Sequence, residues 1–441
     1  MTAELDITHD PAQRSWVTVA QAPGCDFPIQ NLPLGVFSHG GGRPRVGVAI
    51  GDQVLDLTRA LTAGLFDDLP SALRDGCGAQ NLDRLAAVGR PMQGLLRHGV
   101  SALLREGHPD ATRTAACLLP MDAVALQVPT SVPNFSDFLT SIHHARNAGS
   151  ILRPGAPLMP NFLTLPIAYH GRASSVAASG TPVRRPCGQT GTGDAASAVH
   201  GPSRALDFEV ELACWVGAGS ALGETVALGR AAEHVLGIGL LNDWSARDMQ
   251  AWEALPLGPF LSKSFLTTVS PWVVTLDALL PFRCAAAARG SEAPPLLAHL
   301  DNAQDRAWGG LDIAIDVGFS TAAMRQLSMP PLRISRTNFL TQYWTVAQML
   351  AHQASNGCNL VPGDLLGTGT ISGPSRSELG CLLELTENGR RPLELANGEQ
   401  RGYLHDGDEV VLTARCERDG FVGIGFGECR GQVVAARESS L

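Results

Sequence analysis

The chain has 441 residues, 44% hydrophobic and 17% charged, a balance that excludes an intrinsically disordered chain and provides for a large core. A net charge of −9 and the lack of any Lys/Arg cluster exclude a general nucleic-acid partner, because phosphate binding needs a basic face. No apolar run approaches the ~18–20 residues of a membrane span, and the ten Cys fall without CxxC pairs or regular spacing, which excludes a zinc ribbon and a disulfide framework.

The first residues, MTAELDITHDPAQRSW, hold no apolar stretch of the kind a secretory signal needs, so a cytoplasmic, soluble protein is expected. The 48 Gly and 29 Pro point to a turn-rich, mostly β architecture with some helix, an α+β fold divided into two or three domains. Arg45–Leu57 (RVGVAIGDQVLDL) predicts a hairpin turning at Gly51-Asp52. From Leu61 to about Leu119, Leu82, Leu85, Ala86, Leu96, Val100 and Leu103 recur at helical spacing and predict short surface helices. Residues 1–125 therefore read as an accessory domain and 126–441 as the larger one.

Ser136–Arg153 (SDFLTSIHHARNAGSILR) reads as a helix capped by Ser136, which sets Asp137 and His144, seven residues apart, on one face. Tyr169 sits on a loop or strand edge, and Cys187–Pro202 reads as an exposed insertion. Leu206–Trp215 (LDFEVELACW) alternates, with Asp207, Glu209 and Glu211 on one face of a half-buried strand. Val235–Leu241 is an apolar strand delivering Asp243, followed by a short helix that places Arg247 and Gln250 on one side. Thr267–Ala278 predicts a strand, Thr337–Asn356 the most regular helix of the chain, and the remainder, including Cys381–Leu385, strands.

Asp137, Glu209, Glu211 and Asp243 offer carboxylates from three elements with no Cys or His cluster beside them, a donor set suited to a hard cation, Mg²⁺ or Ca²⁺, rather than zinc. His144 is the candidate general base, and Arg247, Gln250 and Lys263 are candidate donors to a developing alkoxide. Lys263 is the single Lys among 33 Lys plus Arg, so this position asks for something Arg cannot supply: a compact ammonium whose pKa falls on burial and which can pass a proton.

The segments DFPIQNLPLGVFS, YHGRASS, LDFEVEL, NDWSARDMQAWE, PLGPFLSKSF, NGCNLVPGDLL and GTISG resemble the fumarylacetoacetate hydrolase family in the same order along nearly the whole chain. The resemblance implies a small SH3-like N-terminal domain, a larger domain built on a mixed β-roll, and a homodimer. It implies hydrolysis of a C–C bond in a 1,3-diketo acid, fumarylacetoacetate going to fumarate and acetoacetate at the end of tyrosine catabolism. By position, Asp137, Glu209, Glu211 and Asp243 match the family's metal ligands, with Lys263 and Thr267 at the same site. His144 and Glu384 match its base pair, Arg247, Gln250 and Lys263 its oxyanion donors, and Arg153, Tyr169, Gln250 and Thr370 its substrate contacts. Leu139 and Ala254 stand where the family has substrate-binding tyrosines. Those two changes leave room for a related enzyme that cleaves a bulkier or more apolar acyl-diketone, and a non-hydrolytic β-keto acid decarboxylase of the same fold is a further alternative.

Overall fold

The computed structural model describes residues 5–291 and 293–437. A long twisted sheet carries the molecule. Its strands run in the order Leu118–Pro120, Gln53–Asp56, Arg45–Ile50, Leu34–Ser38, Trp272–Thr275, Val235–Asp243, Val210–Val216, Leu365–Gly367, Phe135–Phe138 and Ala168–His170. Thr267–Val269 pairs with the end of Val235–Asp243 and, in parallel, with Val176–Ala178. A second, five-stranded sheet is ordered Leu332–Asn338, Ala314–Ser320, Glu409–Cys416, Ile424–Val434 and Val183–Arg184.

The N-terminal meander is built as its sequence predicts. Gly51 turns the hairpin at φ +59, a conformation that a β-branched residue would resist. Its first strand, Leu34–Ser38, joins the C-terminal sheet edge to edge, Leu34 opposite Val273, so one sheet runs through both parts of the chain. The cores interlock accordingly: Val36, Val48, Leu55, Leu85 and Leu96 pack in one cluster with Trp215, Leu241, Val273 and Leu365. The helices of residues 57–115 bury their apolar stripe there, and each fully buried Leu contributes about 1.5–3 kcal/mol. The larger core lies around the second sheet, with Phe208, Trp244, Phe282, Phe319 and Phe426 fully enclosed. The chain is thus a mixed α/β protein with an N-terminal domain and a larger C-terminal one. Among the described residues, no helix is long and apolar enough to cross a membrane.

Several predicted elements differ from those observed. Asp137 lies on the strand Phe135–Phe138, and the helix begins only at Ile142, so Asp137 and His144 do not share a helix face. Parallel pairing with Leu365–Gly367 claims the backbone of residues 135–138, and Ser141, not Ser136, caps the helix by accepting from the His144 N–H. The predicted helix Thr337–Asn356 is shortened to Val346–Gln353, because Thr337 and Asn338 complete a strand with Ile315 and Ala314. Leu382–Leu385 is a helical turn rather than part of a strand, its first N–H groups bound by Asp207. The strand Thr267–Ala278 is split at Ser270-Pro271, where Pro271 has no N–H to give. The Cys187–Pro202 segment is, as expected, a mostly exposed hairpin.

Thr345 caps the shortened helix, its hydroxyl accepting from the Gln348 N–H while the Gln348 side chain accepts from the Thr345 N–H. Thr345→Ala is expected to lower unfolding stability by about 1–2 kcal/mol, measured by denaturant titration, with the midpoint moving and its slope unchanged.

Candidate active site

The predicted acids converge because neighbouring strands of the large sheet carry them. Asp137 is opposite Gly367, Gly367 is in the strand beside Glu211, and Asp243 ends the strand on Glu211's other side. Carboxylate oxygens of Asp137, Glu211 and Asp243 lie within 4.8 Å of one another, and all three residues are buried. Gly367 makes the approach possible: a Cβ there would stand 2.6 Å from the Asp137 Oδ1 and 3.0 Å from the Glu211 Oε2. Among the described residues, the buried Asp137 Oδ1 and Glu211 Oε1 find no hydrogen-bond partner. Burial, reinforced by Asp243, pushes the Asp137 carboxyl up to about 8, and burial with Asp137 and Asp243 raises Glu211 well above the usual carboxylate range. Unpaired, desolvated oxygens at this spacing fit a divalent cation, which would replace the missing partners and restore the ionised forms.

Glu209, predicted as a fourth ligand, is beside this group but engaged elsewhere. The row Asp207–Glu211 is not one continuous strand, since pairing lapses at Phe208 and Glu209. Glu209 accepts from both Lys263 and Arg247. Burial alone would raise its carboxyl, but the Lys263 and Arg247 charges outweigh that and hold it well below the usual range. Lys263 also donates to Asp243 at 2.8 Å. Burial would favour its neutral amine, but Asp243 and Glu209 overcome this and raise its pKa above that of a free ammonium. The expectation of a depressed, proton-passing lysine is therefore corrected. This position needs Lys because a compact ammonium reaches between two carboxylates where a planar guanidinium would need more room.

The short helix predicted over Trp244–Trp252 is observed as Arg247–Glu253, with Arg247 opening it and bound on two sides. Its Nε donates to Asp207 at 2.8 Å and its Nη1 to Gln250 at 3.0 Å, and Nη1 forms an ion pair with the Glu209 Oε1 at 2.7 Å. Its Nη2 is buried and has no acceptor among the described residues, so it is a donor held ready for a ligand oxygen.

His144 and Glu384 meet at 2.7 Å, Nδ1 to Oε2. The carboxylate accepts, which puts the proton on Nδ1 and leaves the Nε2 lone pair free. Burial alone would raise the Glu384 carboxyl, but His144 and hydrogen bonds from Asn147 and Ser372 bring it below the usual range. Ser141, Ser372, Glu384 and His144 close a ring: Ser141 donates to the Ser372 carbonyl, Ser372 to Glu384, and the His144 N–H to Ser141. Cys381 completes a His/Cys/Glu cluster, its Sγ donating to the Glu384 Oε2 at 3.2 Å, and burial and Glu384 hold its thiol up.

Of the remaining predicted residues, Tyr169 donates to the Asp243 Oδ2 at 2.8 Å and Thr267 to its Oδ1 at 2.7 Å. A cavity of about 180 Å³ opens here, lined by Tyr169, Arg172, Asp243, Phe260, Lys263 and Thr267. Thr370 is buried in the segment following Leu365–Gly367. Leu139 packs beside Phe162, Tyr343 and Trp344, and Ala254 ends the helix bearing Arg247 and Gln250. Arg153 is not brought in: it ends the His144 helix, exposed and outside the cavity lining. Sequence reasoning missed Asn147, Ser372, Arg172 and the separate role of Asp207. Asn147 had a signal, standing one helical turn after His144.

Comparison with known proteins agrees with this geometry. Residues 134–434 match the family description "Fumarylacetoacetate (FAA) hydrolase C-terminal", and residues 30–129 match "Fumarylacetoacetase N-terminal". The chain belongs to the fumarylacetoacetate hydrolase family. It is 46% identical to the fumarylacetoacetase of Oryza sativa subsp. japonica, covering 96% of this chain and 97% of that one. It is 44% identical to that of Homo sapiens, covering 96% and 99% respectively. Among solved structures, a fumarylacetoacetate hydrolase from the psychrophilic Exiguobacterium antarcticum shares the fold with a TM-score of 0.50 at 18% identity, over 92% of this chain and 100% of that one.

Gly367→Ala is expected to weaken Mg²⁺ or Ca²⁺ binding at least tenfold by calorimetry (~1.4 kcal/mol or more), because the added methyl lies between two carboxylates; native affinity would refute the close approach. A carboxyl raised to about 8 is protonated at neutral pH and must lose its proton when a cation arrives. Cation affinity should therefore rise as pH increases from 6 through 8, by up to about tenfold per unit for each proton displaced. Titrations in buffers of different ionisation enthalpy would report the released proton, and a flat affinity across that range would contradict the raised carboxyl.

Proposed function

We propose that the chain hydrolyses 4-fumarylacetoacetate to fumarate and acetoacetate, the step that closes tyrosine catabolism. The observation that carries this reading is the His144–Glu384 pair, buried at 2.7 Å in the same protein interior as the carboxylate cluster and the Lys263 ammonium. Similarity of 44–46% to fumarylacetoacetases along nearly their full length supports the substrate. Asp137, Glu211 and Asp243 would hold a divalent cation, Mg²⁺ or Ca²⁺, with Glu209, Lys263 and Thr267 around them; when bound it supplies Lewis-acid polarisation of the diketone.

The residues of the chain do the rest. His144, kept in one tautomer by Glu384, takes a proton from water at Nε2, and the water oxygen adds to the carbonyl carbon on the fumaryl side. The donors assigned to the alkoxide that forms are the Nη2 of Arg247, the Gln250 side chain and Lys263, a reading supported by the buried, unpartnered Nη2. Collapse of the alkoxide breaks the bond to the neighbouring methylene, whose electron pair delocalises into the remaining ketone. The proton held on His144 then returns to that carbon, giving acetoacetate. Tyr169, Thr370 and Arg153 are assigned to substrate contact, Arg153 requiring its exposed side chain to swing inward. Residues 1–125 form the SH3-like scaffold, and residues 126–441 the β-roll that catalyses. A homodimer belongs to the same reading, with the exposed Leu255 and Leu257 near the cavity as surface to bury.

Leu139 and Ala254 support a second reading. With an aliphatic side chain packed beside Phe162 and Tyr343, and a methyl in place of a phenol, positions 139 and 254 offer no hydroxyl to a polar substrate end. A related enzyme acting on a bulkier or more apolar acyl-diketone would have such walls. Product analysis with fumarylacetoacetate and with a panel of acylpyruvates and aryl diketones separates the two. Fumarate and acetoacetate released fastest support the first, while poor turnover of that substrate beside rapid cleavage of a bulkier one establishes the second. Lys263→Arg is expected to lower kcat by about 100-fold or more in either case; native kcat would remove Lys263 from the chemistry.

A further inference from the structure

Asp207 takes no part in the cation cluster, yet its carboxylate is fully buried and saturated with donors. Oδ1 accepts from the Leu382 N–H at 2.7 Å and the Phe208 N–H at 2.8 Å. Oδ2 accepts from the Leu383 N–H at 2.9 Å and the Arg247 Nε at 2.8 Å. One side chain thus grips two elements that are remote in sequence. Leu382 and Leu383 begin the helical turn that carries Glu384, and Arg247 begins the helix that carries Gln250.

We propose that Asp207 is a positioning residue that registers the base pair against the alkoxide donors. The proposal rests on the reaction proposed above for this site. The Asp207 Oδ2 fixes the Arg247 guanidinium by its Nε edge, so the free Nη2 can point in one direction only. The same oxygen fixes the N–H one residue before Glu384, and so the distance from which Glu384 orients His144. A general base and an oxyanion donor act together only if the carbonyl carbon lies within reach of the activated water while its oxygen lies within reach of the donor. That relation spans two chain segments more than 130 residues apart, and Asp207 is hydrogen-bonded to both. An apolar residue could fill the same space but could not hold a guanidinium edge and two backbone N–H groups together.

Asp207→Asn tests this, since its amide keeps the shape but presents N–H to the Arg247 Nε or to Leu383. The expected result is a fall of about 100-fold in kcat with KM within about twofold, because groups that engage the transition state are displaced. Introduced into a Glu384→Gln background, the same change should cost less than threefold, the register being already useless; a full second 100-fold loss would mean independent effects and overturn the proposal. An independent readout is the downfield proton resonance of the His144 Nδ1–H···Glu384 bond. It should shift in Asp207→Asn and also in Arg247→Lys, although Arg247 forms no hydrogen bond to His144 or Glu384; an unmoved resonance in both folded variants overturns the proposal. Should Asp207→Asn not fold, Arg247→Lys carries the resonance test alone. Absence of fumarylacetoacetate turnover in the native protein would refute the proposed reaction, while the resonance would still decide the role of Asp207.

Discussion

Burying carboxylates without enough cations is the constraint on which the site depends. Taking an ion out of water costs several kcal/mol unless an opposite charge or hydrogen bonds replace the solvent. Asp207, Glu209 and Asp243 have such partners in Arg247, Lys263, Thr267 and Tyr169. Among the described residues, Asp137 and Glu211 are in contact with no cation, and only the Gly369 N–H donates to Glu211, at its Oε2; their raised carboxyls record the deficit. The sheet thus contains a gap in charge and in hydrogen bonding at a defined place. The gap persists because strand pairing on both sides holds the acids at fixed spacing, and because Gly367 between them leaves no side chain to fill it.

The same electrostatics sorts the cations by task. Lys263 reaches between Glu209 and Asp243, and the two acids hold it charged, so it serves as a permanent donor. Arg247 is anchored through Nε and Nη1 and left open at Nη2, an arrangement that only a multidentate cation allows. His144 is supported by Glu384 and the two serines rather than by the Asp137, Glu211 and Asp243 cluster. On the reaction proposed above, proton transfer and charge stabilisation are divided between these two groups, and the division creates the need for a link between them, the role proposed for Asp207.

Legibility in the sequence followed the range of the interactions concerned. The Gly51 hairpin, the strand delivering Asp243 and the Arg247–Gln250 pair depend on neighbours within a few residues, and all three were readable from local pattern. Asp137 was assigned to a helix because SDFLTSIHH satisfies a helical start at either serine; only pairing with Leu365–Gly367, over two hundred residues away, decides for Ser141. Cys381–Leu385 reads as an apolar strand until Asp207 supplies acceptors for its first N–H groups. The periodic run from Thr337 to Asn356 contains a real helix, but its first residues belong to a strand whose partner the local pattern does not reveal. The identity of the acids was visible through family resemblance, whereas the division of labour among them required the charges to be placed in space.

Floor and walls of the site answer to different physics, and this bears on how substrate preference can change. The floor is a set of mutually dependent ion pairs, where removing any one leaves a buried charge uncompensated. The cavity wall beside it includes Phe260, on a segment whose neighbours Leu255 and Leu257 face solvent, and the two proposed substrate-facing positions also stand outside that network, Leu139 in an apolar cluster and Ala254 at a helix end. Exchanging a phenol for an aliphatic side chain at such a wall alters shape and polarity without disturbing an ion pair beneath it. On the second reading proposed above, the residues at Leu139 and Ala254 bear on which diketone is held, while the chemistry of cleavage stays with the floor.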